Sequence, residues 1–371
     1  MATLKDKFRG CIAGSWIGSA MGAPVEGWSR EKIKEKHGYL DRLLPYPHDV
    51  GQAHWTWPPG TTEDGIERQK LMATAIIEKQ DRVLAQEVLA VWVRDIDPEK
   101  IVHKQEPFDK SLLELARAGL PAVESGSLVL YPNIVSLPRS SHALGLINAG
   151  DPRGAADDAF EVGKLYARET AYALRWAALY DAAIAEACKP NASVESVLNV
   201  ARDFVHYRQE RGSLYERYDT IEWEVNHALE LAAKHKDPMK MRDEFYERYY
   251  GGDYFNYGYS QANEIVAKGL AVFAICQGDP KQAIVTAVNF GRDTDCLGAV
   301  AGGLSGALSG ASALPQEWIA TVNEATKQDL YTNNRRTIEE TADGLLAAFL
   351  ARRVKLREYL ELMEDAAYLA E

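Results

Sequence analysis

The segment Asn289-Phe290-Gly291-Arg292-Asp293-Thr294-Asp295-Cys296 sets two carboxylates two residues apart, just before a run of small residues with helical character. Inside a regular helix, side chains at that spacing point to different sides. At the bend that opens a helix, they can converge on one point. Converging carboxylate oxygens are what a hard divalent cation requires. A helix start also offers free N–H groups and a favourable dipole to negative charge. Asp is equally a common N-cap residue, so on its own the pair Asp293 and Asp295 reads first as a cap.

A second acidic turn changes the balance. Thr61-Thr62-Glu63-Asp64-Gly65-Ile66-Glu67 follows Trp57-Pro58-Pro59-Gly60 and opens another helix. Its spacing fits a capping box. It also lines up three consecutive oxygen side chains in Thr62, Glu63 and Asp64. Two acidic helix starts far apart in sequence would together make an oxygen-rich site for one or two Mg²⁺ or Mn²⁺ ions.

Something must bring those starts together, and two glycine stripes offer a means. Gly10, Gly14, Gly18 and Gly22 recur every four residues, as do Gly298, Gly302, Gly306 and Gly310. Residues four apart share a helix face. Glycine costs about 1 kcal/mol relative to Ala inside a helix, so such stripes imply close backbone approach. If the two helices pack antiparallel, the end of the first, with Glu26 beyond it, lies beside Asp293 and Asp295.

Helical periodicity covers residues 5–20, 64–80, 82–95, 109–118, 154–188, 193–211, 215–236, 261–277, 280–290, 296–310, 315–326 and 335–369. Alternating strand patterns are nearly absent apart from Leu128-Val129-Leu130-Tyr131, so the expected class is all-α. Residues 22–62 and 119–151 read as long ordered loops, held by aromatics such as Trp28, Tyr46, Trp55 and Tyr131. No linker interrupts the chain. We expect one domain over 1–330, with 331–371 as a helical extension packed on it.

A net charge of −12 argues against general affinity for nucleic acid or an anionic membrane. Cys11, Cys188, Cys276 and Cys296 are scattered, without zinc or disulfide spacing, which suits a reducing compartment. The N-terminus has no signal-peptide core, and the weakly hydrophobic stretch 297–314 reads as a buried helix. A cytoplasmic protein is expected.

Three motifs, in order, resemble the ADP-ribosylglycohydrolase family. Arg9-Gly10-Cys11-Ile12-Ala13-Gly14 through Met21-Gly22-Ala23-Pro24-Val25-Glu26 resembles its opening Gly-rich helix and Gly-Ala-Pro end. Thr62-Glu63-Asp64 resembles its Thr-Asp-Asp metal motif. Gly291-Arg292-Asp293-Thr294-Asp295-Cys296, with Leu314-Pro315-Gln316-Glu317-Trp318 further on, resembles its Gly-Gly-Asp-Thr-Asp-Thr motif and the segment after it. Gly145 to Pro152 matches a further recurrent segment.

The resemblance implies a compact all-α orthogonal bundle with a two-metal centre in a cleft. On it, Thr62, Glu63, Asp64, Asp293 and Asp295 are metal ligands, and Cys296 stands in for a liganding Thr. The ions would be Mg²⁺ or Mn²⁺, two of them, or one given the thiol at Cys296. The implied activity is hydrolysis of an N- or O-glycosidic bond at a ribosyl anomeric carbon, in a small molecule or a ribosylated partner. Glu26, Asp64 and Asp295 are the candidate catalytic carboxylates, with Glu26 or Asp64 as general base.

Substrate contacts are expected from Arg292, Trp57, Tyr257 and Ser127. Arg292 replaces a family Gly, where it would hold a substrate anion or pair with an Asp, and Ser19 replaces an Asp. The family's substrate-gripping Asn-Gly-x-x-Met-Arg has only weak counterparts in Ser125-Gly126-Ser127 and Leu137-Pro138-Arg139. That points to a substrate other than protein-linked ADP-ribose. The rival classes are another metal-dependent hydrolase, such as a phosphoesterase, and a non-catalytic relative of the kind recruited as a lens crystallin.

Overall fold

The structure is a computed structural model and describes residues 2–50, 53–100, 107–209, 221–249, 260–328 and 334–365. Its first helix, α1 (Leu4–Gly22), opens on Thr3, whose side chain accepts a hydrogen bond from Asp6 N at 3.1 Å. From Gly10 to Gly22 every residue is buried. A helix buried on all sides lies in the middle of its domain.

Its partner is α15 (Thr294–Ser309), and the remaining elements wrap the pair. In chain order these are α2 (Arg30–His37), the strands β1 (Tyr46–Val50) and β2 (Ala53–Trp57), α3 (Asp64–Lys79), α4 (Ala85–Asp95), α5 (Pro107–Arg117) and α6 (Ala122–Ser127). Then come α7 (His142–Ile147), α8 (Pro152–Gly163), α9 (Tyr172–Ala187), α10 (Val194–Asp203), α11 (Ile221–Lys234) and α12 (Pro238–Tyr249). The chain continues through α13 (Ala262–Ile275), α14 (Pro280–Val288), α15 (Thr294–Ser309), α16 (Gln316–Lys327) and α17 (Ile338–Glu364).

The glycine stripes meet as a zipper. A Cβ placed on Gly14 would lie 2.1 Å from Gly302 O, and one on Gly18 would lie 2.1 Å from Gly298 O. Gly10 faces Gly306 in the same way. Rising numbers on α1 meet falling numbers on α15, so the helices run antiparallel with their backbones in contact. No side chain fits in this seam, which is why it tolerates the helical cost of glycine. α3, α14 and α17 also pack on α1, and α9, α13 and α14 on α15.

The all-α class holds, with one small exception. β1 and β2 form an antiparallel hairpin that pairs Tyr46 with Trp57 at its open end. Together with α2 it occupies what the sequence presents as the loop 22–62, and α6 and α7 occupy part of 119–151. Leu128–Tyr131 is not a strand. The expected helix 154–188 is two helices, broken over residues 164–171. Gly163 is the last residue of the first, and a Cβ there would lie 2.6 Å from both Leu137 Cδ2 and Leu174 Cδ2. α12 appears where no helix was expected. The first half of α17 packs on α1, α3 and α7 through buried Ile338, Ala342, Leu345 and Ala348.

Candidate metal centre

The zipper ends at the acidic turns. At its last glycine, Gly22 O accepts a hydrogen bond from Thr294 Oγ1 at 2.8 Å. A Cβ on Gly22 would lie 2.4 Å from Asp295 N. One turn earlier on α1, Ser19 Oγ accepts from Glu63 N at 3.1 Å. The end of α1 therefore fixes the starts of both α3 and α15. Thr62, Glu63, Asp64, Asp293, Asp295 and Cys296 are all buried here.

Asp293 occupies the N-cap position of α15, yet its side chain makes no capping hydrogen bond. Both of its carboxylate oxygens, and Oδ1 of Asp295, are buried without a hydrogen-bond partner in the described protein. Each such oxygen costs about 1–3 kcal/mol or more when left unsatisfied. The cap reading of this pair therefore fails. Asp293, Asp295 and Cys296 each present one ligand atom, all within 4.8 Å of one another. Three unsatisfied carboxylate oxygens beside a sulfur make a cluster able to coordinate a metal ion.

The other turn is built differently. Glu63, at the N-cap of α3, accepts from Asp64 N at 2.9 Å, so here the carboxylate does act as a cap. Burial, the neighbouring Asp64 and then Asp295 push the Glu63 carboxyl well above its ordinary range. Burial likewise raises Asp295, and the charges of Glu26 and Asp293 add to it. Like charges crowded out of water raise one another's proton affinity unless a cation intervenes. The Cys296 thiol is driven up chiefly by burial, with Arg139 opposing.

Two guanidiniums that sequence reasoning did not place in the centre hold Asp64. Arg139 Nη2 donates to Asp64 Oδ2 at 2.7 Å, and its Nη1 donates to Cys296 Sγ at 2.9 Å and lies 3.8 Å from Asp295 Oδ2. Burial alone would lower the Arg139 pKa, but Asp64, Cys296, Asp295 and Asp293 together raise it, so it stays charged. Arg68 reaches the same Asp64 oxygen at 2.9 Å and forks onto buried Asp109. Burial and then Asp64 push Asp109 up, against Arg68, to about 6. Gly65 makes room, since a Cβ there would lie 2.7 Å from Arg139 Cδ. Arg68 was legible as the i+4 partner of Asp64. Arg139 and Asp109 come from distant segments and carried no such signal.

The remaining sequence candidates divide. Glu26 is exposed just past the Ala23–Val25 turn, with its charge felt at Asp295. Arg292 sits in the left-handed region at φ 65°. Its Nε and Nη2 donate to Glu264 at 2.8 and 3.1 Å, so its partner is a buried Glu and not either Asp of the motif. Lys268 Nζ donates to the same Glu264 at 2.6 Å and also feels Asp293. Trp57 is half-buried at the open end of the hairpin, from which residues 58–62 lead to the acidic turn. Ser127 is exposed at the end of α6, where its hydroxyl donates to Glu124 O at 2.7 Å. Tyr257 lies outside the described residues.

A family model described as ADP-ribosylglycohydrolase matches residues 1–355. The uncharacterized protein YegU of Escherichia coli K12 is 25% identical over 333 residues, covering 87% of this chain and 94% of its own. An uncharacterized protein of Archaeoglobus fulgidus is 37% identical over 76 residues, 20% of this chain and 23% of its own. A solved structure described as an ADP-ribosylglycohydrolase-related protein complex superposes with a TM-score of 0.62 at 20% identity, over 95% of this chain and 99% of that one. At that identity the likeness carries the fold alone.

Proposed function

The chain belongs to the ADP-ribosylglycohydrolase family, and on that premise we propose that it is a metal-dependent glycoside hydrolase acting at a ribosyl-type anomeric carbon. The observation that carries this reading is the set of three buried, unsatisfied carboxylate oxygens on Asp293 and Asp295. Asp293 and Asp295 would hold a divalent cation, with Cys296, Thr62 and Glu63 beside them. When bound, the cation would supply Lewis acidity toward sugar hydroxyls and water.

The chain's own groups would do the rest. Glu26, exposed at the rim, would take the proton of the attacking water as the C–N or C–O bond breaks, and pass it to the departing nitrogen or oxygen. Asp64, clamped by Arg68 and Arg139, has one oxygen committed to a charge-assisted hydrogen bond from Arg139 and an ion pair with Arg68. That would leave its other oxygen for the cation or the sugar, and Glu26 as the general base. Asp295, whose charge adds to that of Glu26, would stabilise the cationic oxocarbenium-like transition state. Arg292, braced by Glu264, and Trp57 near the acidic turn are proposed to contact the substrate.

The substrate is proposed to be a small ribosylated molecule. No described helix is long and apolar enough to cross a membrane. The test is release of ribose or ADP-ribose from a panel of ribosyl N- and O-glycosides with Mn²⁺ or Mg²⁺, run beside a colorimetric phosphatase screen. Turnover of a riboside that drops at least about 100-fold in Glu26→Gln supports the reading. Phosphate-ester turnover without riboside cleavage would overturn it.

A further inference from the structure

The far end of α17 lacks the packing of its first half. From Arg353 to Asp365 every residue is exposed. These thirteen residues make about 20 Å of helix beyond the last buried turn. A free helix that short is marginal in water. Yet Leu356, Tyr359, Leu360 and Met363 sit at i, i+3, i+4 and i+7, with exposures of 47, 58, 56 and 43%. That spacing is one continuous apolar stripe, the kind that ordinarily covers a partner.

The charges along the segment are segregated. Arg352, Arg353, Lys355 and Arg357 come first, and Glu358, Glu361, Glu364 and Asp365 follow. A basic peptide would be repelled by the first half, and an acidic one by the second. A parallel copy would set like charges side by side. An antiparallel copy sets each basic half beside an acidic half, so the segment is its own complement.

We propose that the end of α17 is a homodimer interface, in which two copies of this chain pair their helices antiparallel about a two-fold axis near Glu358. In that register Leu356 of each copy lies against Leu360 of the other, and Lys355, whose Nζ also donates to Asp81 Oδ2 of its own chain at 2.8 Å, lies beside Glu361. The same patch serves both copies, as two-fold symmetry demands. The first half of the helix, anchored on α1, α3 and α7, holds the stripe ready, which reduces the ordering cost of association.

Sedimentation velocity and light scattering on the full chain test the proposal. The wild type is expected at twice its 41.2 kDa chain mass at micromolar concentration. Leu356→Glu/Leu360→Glu is expected to be monomeric, with the thermal midpoint of the body unchanged. Lys355→Glu/Arg357→Glu should weaken the dimer at least about tenfold, or 1.4 kcal/mol. Adding Glu361→Lys/Glu364→Lys to that variant should restore it. A wild type that stays at the chain mass, a dimer that survives the Leu356/Leu360 double substitution, or a fourfold charge exchange that fails to restore pairing would each overturn it.

Discussion

Replacing Gly18 by Ala tests the central structural device. The new methyl would lie 2.1 Å from Gly298 O and 2.2 Å from Gly298 C, against an ordinary contact of 3.4 Å or more. The backbones must therefore part locally by about 1.3 Å. Neither atom is the tip of a side chain that could turn away, so the cost falls at the upper end of overpacking, about 3 kcal/mol. Ala recovers about 1 kcal/mol of helix propensity. The net expectation is a loss of about 2 kcal/mol, read from urea unfolding followed by circular dichroism. Gly344→Ala is the control. Its three nearest neighbours would all be side-chain atoms of Ile77, Cδ1 at 2.8, Cγ1 at 3.1 and Cγ2 at 3.4 Å, and no backbone. That variant should be neutral or gain up to about 1 kcal/mol. The zipper argument is refuted if Gly18→Ala is as stable as the wild type while Gly344→Ala behaves as described.

Three further outcomes are expected. Burial holds His142 down at about 4, with its ring between Tyr180 Oη at 2.8 Å and Gln69 Nε2 at 3.1 Å. Its folded pKa lies below its unfolded value, so the native state binds fewer protons between pH 4 and 6.5. Stability is then full above that window and declines by about 3 kcal/mol as pH falls through it. The difference between wild type and His142→Gln in unfolding free energy should show that slope within the window and become independent of pH above neutrality. Arg139→Met leaves Asp295 and Cys296 buried without their guanidinium and Asp64 with Arg68 alone, and should cost about 3 kcal/mol in metal-free urea unfolding, where a change under 1 kcal/mol would contradict its bracing role. Cys296→Thr replaces sulfur with a hard oxygen and should tighten Mg²⁺ about tenfold relative to Mn²⁺ in calorimetric titration, while an unchanged ratio would remove Cys296 from the ligand set.

Much of the centre was legible because its signals were local. Glycines four apart in two stretches implied a seam, and the seam implied that Glu26, Asp293 and Asp295 converge. Asp293-Thr294-Asp295 by itself could not separate a cap from a ligand pair. The difference lies in hydrogen bonds its carboxylates do not make, which depends on every group around them. Arg139 was unreadable as a partner of Asp64 and Cys296, because loop closure over more than seventy residues leaves no periodic trace. Arg292 was readable as a cation but not as the partner of Glu264, which α13 delivers from a separate apolar helix. The break over residues 164–171 lacks proline, so two helices resembled one. α12 is rich in Lys, Arg and Glu, so its apolar period was too faint to register.

The claim that Asp293 and Asp295 form a divalent-cation site is tested most directly by Mn²⁺ binding followed by electron paramagnetic resonance and calorimetry. The account predicts saturable binding to the wild type that weakens at least about 100-fold, or 2.7 kcal/mol, in Asp293→Asn/Asp295→Asn, with the variant still folded. A wild type that binds no Mn²⁺, or a folded double variant that binds it as tightly as the wild type, would contradict it.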